Sequence, residues 1–212
     1  MLITACDKNS DAAPPVTDID GNTYDTVKIN DQFWMQQNLK TSHYRNGDPI
    51  PEITSLSVWY SLTSGAWCWY QNDSIKYAAT YGKLYNWYAV IDPRGLAPAG
   101  WHVPVDVEWT ALSASLGGEL VAGRQMKETG TAHWSSQNNA GASNSSGFTG
   151  LPGGYCDSYG AFSNIGEAGY WWSATEQNMF TALYRSLSNN EDGIFRYNED
   201  KRSGFSVRCL RD

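Results

Sequence analysis

The sequence predicts one α+β domain. Three observations carry this: β-prone runs gather near both ends, two helix-period apolar stripes lie between them, and a Gly/Ser/Asn-rich stretch separates the second stripe from the terminal runs. A chain of 212 residues that is 41% hydrophobic can bury one sizeable core and requires no second.

The first β-prone runs, Thr23–Ile29 and Gln32–Asn38, flank Asn30 and Asp31 and read as a hairpin. Between Tyr44 and Tyr77 the rings of Trp59, Tyr60, Trp67, Trp69 and Tyr70 cluster without a period, which suggests irregular packed structure. Leu84, Trp87, Tyr88 and Ile91 follow i, i+3, i+4, i+7 spacing and predict a helix over 78–90, closed by Asp92 and Pro93. A second helix should follow Pro104, with Val105, Trp109, Leu112 and Leu116 as its stripe, Asp106 as N-cap, and Gly117 and Gly118 as its stop. Residues 129–169 carry few aliphatic side chains and read as a long loop region, the kind of segment that usually has a function. Strands are expected over 170–175, 180–187, 193–197 and 204–210. In the last, Phe205, Val207 and Cys209 should alternate inward against Ser206, Arg208 and Leu210.

Charge excludes some partners. The 22 acidic and 15 basic residues give a net charge of -7, and the basic residues stand singly, so no nucleic-acid footprint is present. No apolar run approaches the roughly 18 residues of a membrane span.

Ile3, Thr4, Ala5 and Cys6 are similar to the lipobox of bacterial lipoproteins, which makes Cys6 the expected acylation site and residues 1–6 a truncated signal remnant. Residues 7–17 (DKNSDAAPPVT) have the composition of a flexible tether, leaving 18–212 as the domain. The expected location is thus extracytoplasmic, on the outer membrane or cell surface, with the lipid as the only membrane contact. Export would place Cys68, Cys156 and Cys209 in an oxidising compartment, where at most one bridge is expected, with Cys209 as its favoured member. No cysteines or histidines stand at metal-ligand spacing, and His43, His102 and His133 read as structural hydrogen-bonding residues; no cofactor is expected.

Six ordered strings carry a resemblance to a known family: Tyr81–Val90 (YGKLYNWYAV), Gly100–Pro104 (GWHVP) with Glu108 and Trp109, Ser145–Phe148 (SSGF), Leu151–Gly154 (LPGG), Gly169–Glu176 (GYWWSATE) and Gly204–Cys209 (GFSVRC). Together they resemble the Fibrobacter succinogenes major paralogous domain, abundant in Bacteroidetes and Fibrobacteres, over about 18–212. The resemblance implies a fold related to C-type-lectin-like domains, with a small mixed or antiparallel sheet, two helices and a long loop region, and it implies no activity. Two departures stand out. Ala97 and Pro98 occupy a place where members often carry Cys-Pro, so Cys156 becomes the alternative partner for Cys209. Val105 occupies the place of a capping Thr or Ser.

Catalytic constellations are missing: there is no Gly-x-Ser-x-Gly, phosphate loop or dinucleotide fingerprint, and Asp157, Glu167 and Glu176 form no recognisable acid pair. Cys156 and Cys209 could be offered as the copper pair of formylglycine-generating enzymes, but their surroundings do not match that family. The Glu-Pro-Asn and Trp-Asn-Asp strings of calcium-dependent lectins do not occur either, although Glu176, Asn138, Asn139 and Asn144 carry suitable oxygens.

The expected function is therefore a non-catalytic, surface-displayed binding or adhesion module for a glycan or protein. The alternatives are an enzyme acting on carbohydrate or peptide, and a structural subunit of a fimbria-like assembly. Lectin-like architecture directs recognition to the long loops, where Trp134, Asn139, Asn144, Tyr155, Tyr159 and Glu176 are the candidate ligand-binding residues, combining ring area with amide hydrogen bonding. Of the two adjacent indoles Trp171 and Trp172, strand alternation sends at least one inward. The aromatic cluster around Trp67 and Trp69 is the next place to look for a site.

Overall fold

The computed structural model describes residues 14–135, 139 and 141–212, so Cys6 and Asn138 lie outside the described residues. The chain first pairs β1 (Val16–Thr17) with β2 (Thr23–Tyr24). Val16 and Thr17, which composition assigns to the tether, thus take part in the folded domain. The expected hairpin follows as β3 (Thr26–Ile29) and β4 (Gln32–Met35), antiparallel from Thr26 opposite Met35 to Ile29 opposite Gln32. Asn30 makes the turn at φ 52°, a left-handed conformation that its short amide side chain tolerates.

The helix expected over 78–90 is three elements instead. After α1 (Leu56–Tyr60) and β5 (Trp67–Cys68), helix α2 spans Ser74–Tyr81, β6 is Leu84–Tyr85 paired with β5, and α3 is the single turn Trp87–Val90. Two local features cut the segment. Gly82 sits at φ 74° and passes so close to the preceding chain that a Cβ there would lie 2.9 Å from the Leu39 carbonyl oxygen. Asn86 then starts a new helix by accepting from the Ala89 amide at 3.1 Å. The spacing does not mark one buried face: Leu84, Tyr85, Trp87, Ala89 and Val90 are buried, whereas Ile91 of the apparent stripe is exposed.

β7 (Trp101–His102) leads to α4 (Asp106–Ser115), as expected after Pro104. Its N-cap is Val105 and Asp106 is the first helical residue. Valine has no acceptor, so the cap is half a capping box, with Glu108 Oε2 accepting from the Val105 amide at 2.8 Å. The Gly117–Gly118 stop also begins α5 (Glu119–Met126), which periodicity did not reveal. Gly123 explains the docking of α5: a Cβ there would lie 2.1 Å from the Gly193 carbonyl oxygen.

The stretch expected to be one long loop contains β8 (Gly153–Cys156) and β9 (Phe162–Ile165). Two glycines give β8 little strand propensity of its own; pairing with neighbours makes it a strand. β10 (Ala168–Glu176), β11 (Thr181–Ser188) and β12 (Phe195–Asp200) complete a five-stranded sheet of order β12-β11-β10-β8-β9, antiparallel except for the β10–β8 contact. The last strand, β13 (Leu210–Arg211), closes a second sheet of order β3-β4-β13-β7, bringing the C-terminus beside the N-terminal hairpin.

Residues 204–209 make isolated bridges to Tyr85, Cys156 and Trp171 rather than a continuous strand, and the expected alternation fails because both sides are covered. Arg208 is fully buried, lies 4.1 Å above the Phe148 ring, and donates to Asn38 Oδ1 at 3.0 Å and to the Phe148 carbonyl. Both Trp171 and Trp172 are buried too, their indole N–H groups donating to Asn38 Oδ1 and the Tyr85 carbonyl, each at 2.8 Å.

Cys209 lies in a core cluster with Tyr24, Tyr85 and Val207, whereas Cys68 and Cys156 share another with Trp59 and Tyr70. Burial, with the neighbouring Cys156 thiol, pushes Cys68 well above its ordinary range. All three thiols are free, and the packing groups Cys68 with Cys156 in one cluster, apart from Cys209. Refolding in a glutathione redox couple is expected to form a Cys68–Cys156 bridge and leave Cys209 alkylatable after denaturation. Recovery of a bridged peptide containing Cys209 from non-reducing digests would contradict this.

Candidate functional site

The six loop candidates do not converge. Trp134 is buried with its N–H on the Gly150 carbonyl (3.1 Å), and Asn139 is buried with its amide nitrogen on the Glu128 and Gly130 carbonyls. Asn144 bonds Thr149 through both side-chain atoms, at 3.0 and 2.8 Å, and so ties its own loop. Tyr155 is half-buried against Tyr170 and Phe205. Glu176 receives the ammonium of Lys201 at 2.5 Å. Tyr159 is 67% exposed and stacks on Tyr60 at 5.4 Å, beside a surface that also includes Met179 and Phe180.

A built polar pocket lies elsewhere, at the Trp67–Trp69 cluster. Asp20, Asn22, Lys40, Ser42, Trp69, Ala78, Ala79 and Lys83 line an open depression of about 380 Å³, within the usual size range of ligand sites. Asp18, buried behind this lining, organises the turn that carries Asp20 and Asn22. The Asp18 carboxylate accepts from the Asp20 and Asn22 amides, the Asn22 side chain and the Tyr24 hydroxyl, fixing the turn between β1 and β2. Tyr24 Oη in turn accepts from the Lys40 amide at 2.9 Å, which aligns 40–43 beside the turn.

Asp20 then joins the two segments: its Oδ1 meets His43 Nδ1 at 2.5 Å, and its Oδ2 accepts from Thr41 Oγ1 at 3.0 Å and from the Ser42 amide. Partial burial opposes its charge, but the bonds from Ser42, His43 and Thr41 outweigh this and hold the carboxyl below its ordinary value. The opposite rim is α2, to which Lys40 Nζ reaches by donating to the Ala79 carbonyl at 2.9 Å.

Lys83 forms the floor. The backbone constraint at Gly82 sets it between two indoles, with Nζ 3.5 Å from the Trp67 ring centroid and 5.2 Å from that of Trp69. Only 2% of the residue is exposed, and Nζ donates to Ser42 Oγ. Burial pushes its pKa down to about 8 despite the more distant charges of Asp20, Glu52 and Asp18. Trp67 is buried and anchored by its N–H on the Ile50 carbonyl (2.8 Å), and it stands edge-on to Trp69 at 5.3 Å, leaving Trp69 half-exposed in the pocket. Among the described residues, no three His, Cys, Asp or Glu side chains are arranged to hold a metal ion.

A family model, the Fibrobacter succinogenes major domain, matches residues 27–211. The chain belongs to the Fibrobacter succinogenes major domain family. Neither a curated protein nor a solved structure matches it. In this major domain the pocket draws Lys40, Ser42, Trp69 and Lys83 from inside the matched span, and Asp20 and Asn22 from just before it. Sequence reasoning pointed to Trp69 but missed Lys83, whose signal was a lone cation inside the otherwise aromatic and aliphatic string Leu84, Tyr85 and Trp87. Asp20, Asn22 and Ser42 carry no such signal, since they are ordinary turn residues in sequence.

Proposed function

We propose that this major domain is a C-type-lectin-like, non-catalytic binding module of a surface-displayed lipoprotein acylated at Cys6, and that the Trp69–Lys83 pocket binds a saccharide. The observation that carries the reading is the half-exposed Trp69 ring in an open pocket edged by a hydroxyl, an amide, a carboxylate and two ammonium groups. An indole offers an apolar face for a sugar ring, and fixed donors and acceptors around it match hydroxyl groups. The lectin-like reading is supported by the closure of the terminal strands on each other and by the many non-helical connections. The lipid anchor rests on the Ile-Thr-Ala-Cys string.

Trp69→Ala is expected to weaken binding to the best ligands on a glycan array by about tenfold or more, on the scale of a lost aromatic contact, when assayed at a temperature where circular dichroism shows the variant still folded. Tyr159→Ala, remote from the pocket lining, is expected to bind like the wild type. Full retention of glycan binding by the Trp69 variant, or protein ligands alone in pull-downs, would overturn the saccharide reading. A protein-docking role has one observation in its favour: the adjoining exposed side chains Tyr60, Tyr159, Met179 and Phe180.

A further inference from the structure

We infer that the saccharide taken by this pocket carries a carboxylate, as uronic and sialic acids do, and that Lys83 is the residue that reads it. This rests on the saccharide reading above. A buried ammonium ordinarily has a counter-charge, because desolvation without one is costly. Lys83 has none within ion-pair distance among the described residues; its Nζ meets one hydroxyl, Ser42 Oγ, and the faces of Trp67 and Trp69. A single neutral acceptor cannot match three N–H donors.

The carboxylates nearby are committed elsewhere. Both oxygens of Asp20 are engaged by His43, Thr41 and Ser42, and Asp18 is occupied by the turn it organises and by Tyr24. Glu52 is exposed and influences Lys83 only at a distance. Lys40 adds a second ammonium at the rim. Two ammonium groups and one carboxylate, Asp20, whose oxygens are already taken, therefore line one depression in a chain of net charge -7. A ligand carboxylate at the floor would supply the missing counter-charge, while the attached ring lies against Trp69.

The test uses two pairs of probes that differ in the acid group: sialyllactose against lactose, and trigalacturonate against its carboxyl-reduced form. Calorimetric titration of the wild type is expected to show at least one acidic probe binding about tenfold or more tighter than its neutral partner, the scale of a charge-assisted hydrogen bond. Lys83→Met keeps the apolar stem between the indoles and removes the buried charge. It is expected to fold and to bring the acidic probe to within about twofold of the neutral one, as a near-complete loss of that charge-assisted bond requires. Equal affinity of the wild type for both members of each pair overturns the inference without needing any variant. So does an acid preference that survives in Lys83→Met, or a stronger preference for a sulfated analogue. In each of those cases, continued sensitivity of neutral-sugar binding to Trp69→Ala would leave the saccharide reading standing, whereas loss of that sensitivity would remove both.

Discussion

Replacing Asp106 by alanine is expected to cost about 3–5 kcal/mol, the usual penalty for stranding the partner of a buried ion pair. Arg185 is fully buried on β11 and donates from Nη1 to Asp106 Oδ1 at 2.7 Å and from Nη2 to Thr110 Oγ1 at 3.0 Å. Its remaining Nε has no partner among the described residues, so Asp106 is the only carboxylate compensating a charge that cannot be shed. Arg196, largely exposed on β12, also donates to Asp106, at 2.9 and 3.0 Å. Arg196→Ala is the matching control and is expected to cost less than about 1 kcal/mol, as surface pairs do.

Burial opposes the charge on Asp106, but Arg196 and Arg185 outweigh it and hold the carboxyl below its ordinary value of 3.8. A depressed folded-state pKa stabilises above the unfolded value and stops doing so as pH falls through the folded one. The stability curves of the wild type and Asp106→Ala, measured by urea denaturation, should therefore separate at neutral pH and approach each other below pH 3.8. Equal stability of the two proteins at pH 7 would show that Arg185 is compensated by something other than Asp106.

Trp172→Ala is expected to be comparably damaging, about 3–5 kcal/mol, but for a different reason. Trp172 is fully buried and packs against Phe205 at 4.4 Å and Tyr184 at 6.3 Å. Its N–H donates to the Tyr85 carbonyl, which also accepts from the Phe205 amide at 3.0 Å, so truncation orphans no acceptor. The loss is the cavity and its missing contacts. Trp172→Phe retains most of the ring volume and should recover well over half of the loss. A phenylalanine variant as unstable as the alanine one would assign the energy to the hydrogen bond instead.

The sequence by itself determined the α+β class, the turn at Asn30, the helix after Pro104 with its glycine stop, and membership of the family, because these depend on local chemistry and ordered strings. Trp69 was legible as a fallback because a ring in a polar, irregular setting is conspicuous. Other features were settled only by distant contacts. Gly82 splits an apparent helix because Leu39 lies against it; β8 is a strand because β10 and β9 pair with it; Ser206 and Arg208 turn inward because the terminal segment is covered on both sides. The pocket belongs to this second kind. Asp20, Ser42 and Lys83 are separated by tens of residues, and each is unremarkable in its own window. Only the register that lays the segment after β4 between the first turn and the Gly82 bend leaves an ammonium buried between two indoles with its nearest carboxylates already in use. Side-chain type is local information, but the absence of a counter-charge is a property of everything packed around it.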